Sequence, residues 1–390
     1  MDHLSIPLNP CSLESLSEPV KTKDNKRFWP VILSCYELQS DGTRVGQMVL
    51  FCVQVPDLPT ERLEFGPPHT IVEEGNSGIL DGKWFPKQTR ERKEWWFATA
   101  RSTGELCIQT FQLNEDPNST CSYRTSPLET RASIRSVEGS EYNSKSCSGE
   151  TTPALCLALN WDTSSESDTT TSIVSSYSNG MVAVHDVGRS DKNGSPILVE
   201  RNAWLAHTFF GDTPAEVWSC CFAAQGRIVI SGGDDGKAKF WDILATTKPI
   251  QILQDFDAGV TVISPHPRKE HLVAMGSYDE TIAIYDVRYT SQAMLKRSEP
   301  LGGGIWRIQW HPIDDDKILV AAMHGGCRVV HLSWSDNNLS FIVMKEFTEH
   351  DSMAYGADWL VHDQPDDDYF LEVAASCSFY DRAAFLWDAK

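Results

Sequence analysis

Ile228-Val-Ile-Ser-Gly-Gly-Asp-Asp-Gly-Lys-Ala-Lys-Phe-Trp-Asp242 is the stretch that decides the fold. An apolar run suited to a buried strand meets an Asp-Gly turn, and an alternating strand then closes on Trp-Asp. The pattern returns as Leu272-Val-Ala-Met-Gly-Ser-Tyr-Asp-Glu-Thr-Ile-Ala-Ile-Tyr-Asp286. Weaker copies end at His185-Asp186, His331-Leu332 and Trp387-Asp388. Successive copies in this region lie about 44–46 residues apart, a period that marks a repeat architecture.

A repeat of that length ending in Trp-Asp reads as one four-stranded blade of a WD-type β-propeller. Apolar first strands are legible at Leu155–Trp161, Val217–Ala223, Val260–Pro265, Ile305–Pro312 and Ala354–Leu360. Strands in the Trp-Asp position fall at 48–53, 105–111, 181–186, 238–242, 282–286, 327–332 and 383–388. These predict an all-β, seven-bladed propeller in one domain over 1–390. Such radial sheets hide nearly all of their edges. The chain reaches Lys390 directly after the last Trp-Asp, so Asp2–Leu8 is expected to supply the missing outer strand and close the ring.

Residues 114–151 are rich in Ser, Thr, Glu and Asn, and Thr163–Thr171 is nearly all Ser, Thr, Glu and Asp. Both read as disordered insertions between strands. The carboxylate runs Asp314–Asp316 and Asp366–Asp368 read as turns, because no histidine accompanies them at ligand spacing. No metal and no cofactor are expected.

Eleven cysteines are scattered without a Cys-x-x-Cys pair, several inside apolar strands, as in a protein of a reducing compartment. Sequons at Asn118, Asn193 and Asn338 then carry no glycan. The first residues are acidic and short of apolar side chains, unlike a secretory leader, and no run of about 18 apolar residues occurs. The expectation is a monomer of the cytoplasm or nucleus that spans no membrane. A net charge of −20 argues against nucleic acid and suits a basic partner, or simply solubility.

No Gly-x-Ser-x-Gly elbow, His-Glu-x-x-His or zinc spacing occurs, and fold alone does not settle function. Departures from the repeat are therefore the place to look. The sixth blade opens with Gly302-Gly303-Gly304-Ile305-Trp306-Arg307 and turns through His324-Gly325-Gly326. The seventh opens with His350-Asp-Ser-Met-Ala-Tyr-Gly-Ala-Asp-Trp359 and continues through Ser376-Cys-Ser-Phe-Tyr-Asp381.

These motifs, with Asp212–Trp218, Gly232–Trp241, Tyr278–Arg288 and the opening Leu8–Glu14, resemble the diphthine methyl ester hydrolase family, WD propellers of diphthamide biosynthesis. The likeness is close over 205–388 and looser over 1–113. It implies hydrolysis of the methyl ester of methylated diphthine, a modified histidine of translation elongation factor 2 that also bears a trimethylammonium group. One departure is Arg382, where the family often carries histidine after Phe-Tyr-Asp. A non-catalytic scaffold presenting the elongation factor, or an adaptor of a ubiquitin-ligase complex, are the alternatives.

Ester hydrolysis needs an activated water or nucleophile, a base and a stabiliser for the oxyanion. His324 and His350 are the candidate bases, with Arg307 or a backbone N–H of Gly302–Gly304 for the oxyanion. His350 also has a structural reading, since WD blades place a histidine at this point. Ser376 and Ser378 are conceivable nucleophiles, although serine there also packs in ordinary blades. A quaternary ammonium is held by aromatic faces and nearby carboxylates. Trp218, Trp306, Tyr355 and Tyr380 are the candidate wall, against an alternative of packing between blades, and Asp351 or Asp358 the candidate charge.

Overall fold

A computed structural model describes residues 2–21, 26–56, 63–66, 68–74, 77–86, 94–114, 122–125, 154–164, 170–189, 196–289, 293–335, 338–363 and 370–390. Seven antiparallel sheets hold the strands of the described residues. The first runs Asn9–Ser15, Arg27–Leu38, Arg44–Gln54, His69–Glu74, and the second Ile79–Trp84, Glu94–Arg101, Leu106–Asn114, Ser122–Thr125. The third runs Cys156–Trp161, Thr171–Tyr177, Met181–Arg189, Pro196–Leu205, and the fourth Val217–Ala223, Ile228–Gly233, Ala238–Asp242, Gln251–Leu253. The fifth runs Val260–Pro265, Leu272–Ser277, Thr281–Asp286, Met294–Pro300, and the sixth Arg307–Trp310, Lys317–Ala321, Cys327–Ser335, Asn338–Phe347. The seventh runs Ala354–His362, Leu371–Ser378, Ala383–Asp388, and its fourth strand is Asp2–Ser5. This is the all-β, seven-bladed WD propeller class that the repeats predict.

The N-terminal strand pairs antiparallel with the last one, Asp2 opposite Leu386 and Ser5 opposite Ala383. Just beyond it, Ile6 N–H donates to the Arg382 carbonyl at 2.7 Å. The expected closing strand is therefore present, shorter than Asp2–Leu8. One insertion needs correcting. Ser122–Thr125, inside 114–151, forms the outer strand of the second sheet. The rest of that stretch from 115 to 151, together with 165–169 and Asp366–Asp368, lies outside the described residues.

The chain divides into two compact units, one of 1–79, 112–124 and 301–390, the other of 80–111 and 125–300. In the first, Leu13, Trp29, Leu33 and Phe51 pack with Leu360, Cys377 and Leu386, which joins the first sheet to the seventh. Ala321, Val329 and Phe347 pack with Trp359, Phe385 and Trp387, which joins the sixth to the seventh. In the second unit, Ile230 and Phe240 meet Met275 and Tyr285 between the fourth and fifth sheets. Each such side chain contributes roughly 1.5–3 kcal/mol by leaving water. All nine described cysteines are free and buried, and burial pushes the Cys35, Cys156 and Cys377 thiols well up. They are packing residues.

A recurring irregularity positions the candidate site. The first strand of five sheets shifts register around one residue: Cys11, Leu157, Trp218, Thr261 and Tyr355. A bulge leaves that residue out of the ladder and re-aims its side chain. Two of the four aromatic candidates, Trp218 and Tyr355, occupy such places, and Trp306 stacks on the second.

Candidate active site

The histidines separate into two kinds. In the fourth repeat, His207 is fully buried, with Nδ1 2.7 Å from Asp235 and Nε2 2.8 Å from Ser231 Oγ. Trp241 Nε1 donates to the same hydroxyl at 2.9 Å. Because Oγ accepts from the indole, its proton goes to Nε2, and the imidazole donates from Nδ1 to the carboxylate. This tautomer is the one the network requires. Gly233 is needed beside it, since a Cβ there would lie 2.5 Å from the imidazole.

His350 repeats the serine–tryptophan half of this arrangement in the seventh sheet, without a carboxylate on Nδ1. Its Nε2 is 2.9 Å from Ser376 Oγ, to which Trp387 Nε1 donates at 3.0 Å. Its ring packs edge-on against Phe347 and Phe385. Burial depresses it to about 4, against the opposing pull of Asp381 and Asp351. The candidate base is thus a structural member of a blade network. Ser376 is engaged in that network and Ser378 donates to Asp381, both fully buried, which removes them as nucleophiles. Asp358 has a packing role as well: its carboxylate accepts the Ser15 N–H at 2.7 Å and the Ser15 hydroxyl at 3.0 Å, tying the seventh sheet to the first.

His324 differs. It is exposed in the turn between Lys317–Ala321 and Cys327–Ser335. That turn reaches the seventh sheet through a bridge between Met323 and Ala354, with Ala354 N–H donating to Met323 O at 3.1 Å. His324 and Tyr355 therefore each adjoin a residue of one bridge. The glycines around it have a packing reason. A Cβ on Gly303 would fall 2.1 Å from the Ala322 carbonyl, and one on Gly325 would fall 2.9 Å from the Gly302 carbonyl.

Tyr355 stacks on Trp306, with centroids 4.7 Å apart and planes at 24°, pairing the start of the sixth sheet with that of the seventh. Gly356 lets its bulge approach, because a Cβ there would sit 2.6 Å from Cys377 Sγ. Phe379 then touches Tyr355 at 5.1 Å, Tyr380 at 4.9 Å and Tyr36 at 5.2 Å. Tyr380 is 66% exposed. Burial, followed by Tyr380, raises the Tyr355 hydroxyl to about 12, so it stays a neutral donor. Arg307, half-buried, opens the adjoining strand, and its charge reaches Cys377. Asp351 is exposed, its N–H donating to Asp381.

In the first unit Trp306, Tyr355, Phe379 and Tyr380 are thus in ring contact, while Arg307 follows Trp306 in the chain, His324 adjoins the Met323–Ala354 bridge and Asp351 is tied to Asp381. Trp218 belongs to the second unit, where it has its own partners. Tyr36 is an addition outside the motifs singled out in the sequence, and Phe379 lies within one of them without having been a candidate. Tyr36 lies near the end of Arg27–Leu38 in the first sheet, away from the motifs that depart from the repeat. No group of three or more His, Cys, Asp or Glu residues able to hold a metal occurs among the described residues.

Comparison with known proteins gives these relations. The WD domain, G-beta repeat family matches residues 204–242, the repeat that carries His207 and Trp241. A protein of Dictyostelium discoideum called diphthine methyltransferase homolog is 29% identical over 326 residues, 80% of this chain and 76% of that protein. The human diphthine methyltransferase is 34% identical over 210 residues, 53% of this chain and 44% of its own length. A chain in a crystal structure of the mitotic checkpoint complex superposes with a TM-score of 0.57 at 13% identity, covering 100% of this chain and 94% of that one, a likeness of fold alone.

Proposed function

We propose that this chain, a WD-repeat relative of the curated diphthine methyltransferases, hydrolyses the methyl ester of methylated diphthine on translation elongation factor 2, releasing diphthine and methanol. The observation that carries the reading is the aromatic cluster around Trp306 and Tyr355, placed beside the one exposed histidine of the motifs that depart from the repeat. Such faces suit a quaternary ammonium, which has no N–H to donate and is attracted at about 0.5–2 kcal/mol per contact.

In this reading His324 takes a proton from water as it attacks the ester carbonyl carbon. Arg307 balances the charge that develops on the carbonyl oxygen. The tetrahedral species then collapses, the C–O bond to methanol breaks, and the proton held by His324 passes to the departing methoxide. Tyr355, Trp306 and Tyr380 hold the trimethylammonium, with Asp351 adding negative charge. The partner is the elongation factor itself, and the site of action is the cytoplasm or nucleus.

Incubation of the purified chain with elongation factor carrying methylated diphthine tests this directly. The expected result is loss of the mass of one CH₂ group, with methanol released and no methyl donor added. A gain of that mass, dependent on a methyl donor, would replace hydrolysis by methyl transfer. Binding of the factor with no mass change would leave the scaffold reading.

A further inference from the structure

The second unit holds an aromatic corner that the hydrolysis reading does not use. Trp218 occupies the bulge of Val217–Ala223, half-exposed, with its indole N–H donating to Asp234 Oδ1 at 3.2 Å. Its ring stands at 87° to Tyr278, with centroids 6.2 Å apart. Tyr278 is 37% exposed, and its N–H donates to the Gly259 carbonyl at 3.0 Å. Gly259 lies between the two turns. A Cβ there would meet Asp234 Oδ1 at 2.8 Å and Tyr278 Cδ2 at 3.4 Å. Asp234 is itself fixed by its N–H donating to Glu216 O at 2.8 Å. Two perpendicular aromatic walls, a glycine floor and a carboxylate on the edge result.

Repeat packing does not call for this corner. Tyr278 stands in the turn register that holds Asp234 in the preceding repeat, Gly-Gly-Asp234-Asp against Gly-Ser-Tyr278-Asp. The large aromatics of the blade cores, such as Phe240 and Tyr285, are fully buried, whereas this pair is held at the surface. Aromatic faces carry the negative lobe of the ring quadrupole, and a carboxylate beside them adds to the attraction for a cation. A guanidinium seeks a two-pronged carboxylate, and here one oxygen already accepts the indole N–H. A compact alkylammonium needs no paired acceptor, so the ring faces and the remaining carboxylate oxygen suit it.

We propose that Trp218, Tyr278 and Asp234 form a notch for an alkylammonium group, a lysine side chain or its methylated form, borne by a protein partner. The net charge of −20 favours approach of such a basic segment. The notch does not rest on the hydrolysis reading and is tested without it.

The test follows the Trp218 indole N–H resonance in ¹H–¹⁵N spectra of the full chain at constant ionic strength. Nα-acetyl-lysine methylamide, its trimethylated form and Nα-acetyl-arginine methylamide are each titrated. The expected result is a saturable shift with both lysine compounds and weaker binding of the arginine compound. Tyr278→Leu and Asp234→Asn should each weaken the lysine compounds about two- to five-fold, the equivalent of one exposed cation–π or charge contact. Tyr278 is partly exposed, so its variant should keep the parental melting temperature and report on the notch alone. Shifts no larger than those from sodium chloride, arginine binding more tightly than lysine, or affinity unchanged in Tyr278→Leu would each overturn the proposal.

Discussion

His324 and His350 carry the same imidazole in opposite surroundings. His350 is enclosed by Ser376, Phe347 and Phe385, while His324 stands exposed beside the Met323–Ala354 bridge. His324→Ala should therefore keep the parental melting temperature and slow ester hydrolysis about 10²–10⁴-fold, the loss expected for a general base. His350→Ala should lower the melting temperature, because it opens a cavity and strands the Ser376 hydroxyl, at a cost of about 1–3 kcal/mol. Hydrolysis by His324→Ala at the parental rate would move the base elsewhere. The distinction was only half legible in sequence. His350 stands where a WD blade keeps its structural histidine, but the partners that settle it, Ser376 and Trp387, come 26 and 37 residues later. The packing role of Asp358 was hidden for the same reason. Its partner Ser15 is 343 positions away, and no local pattern reveals such a pair. Arg382 is the converse case, a departure from the family pattern that acquires a reason only in three dimensions. At φ 53° it donates to the Pro7 carbonyl, Asn9 Oδ1 and Glu37, which clamps the N-terminal segment. Arg382→Ala should cost about 1–3 kcal/mol in chemical unfolding, since a carbonyl and a carboxamide lose a charged donor.

Among the elements, those that repeat were the legible ones. Val217–Ala223 and Val260–Pro265 are the strands expected from apolar runs, and all seven strands in the Trp-Asp position fall where their spacing puts them. Legibility failed where a strand contributes backbone and little apolar surface. Ser122–Thr125 is such a strand, polar throughout and at the outer edge of its sheet, so composition alone reads it as spacer. The bulges were also hidden. Tyr355-Gly356 and Trp218-Ser219 look like ordinary strand residues until register shows which side chain leaves the ladder. The closing strand Asp2–Ser5 was legible from what the seventh blade lacked. It covers the ladder edge of Ala383–Asp388, and Ile6 beside it is buried in the core shared by the first and seventh sheets. Deleting residues 2–8 should lower the melting temperature by about 10 °C or more, since several kcal/mol of pairing and burial are lost. It should also promote association, because an unpaired edge templates another chain. Calorimetry and light scattering read the two effects, and a monomer melting like the parent would show that the strand is dispensable.

Acidity acts on the molecule as a whole, through histidines that the fold holds neutral. Burial depresses His350 and His185 to about 4, and His207 is lowered by burial despite Asp235 beside it. An unfolded chain binds protons on these rings near the ordinary histidine value of about 6.5. Between about 6.5 and 4 the unfolded state therefore carries more protons than the folded state, and stability falls as pH falls. Above about 6.5 both states are neutral at these positions and the contribution is complete. Carboxylates follow later. Arg288 holds Asp286 down at about 2, so the stability it contributes is present above about 4 and lost only as pH falls through the region between 4 and 2. Net charge works in the opposite direction, since acid neutralises part of the −20 and relieves repulsion. At 0.15 M salt that long-range repulsion is screened within about 8 Å, whereas the buried rings are not reached by counter-ions. The histidines should therefore dominate, and the melting temperature should be level from pH 8 to 7 and decline steadily between 6.5 and 4.5. In a stable His350→Gln background the decline should be shallower, because one of the rings that resist protonation is gone. A melting temperature that holds or rises from pH 6.5 to 4.5 would mean that charge relief outweighs the rings, and that these histidines accept protons inside the fold.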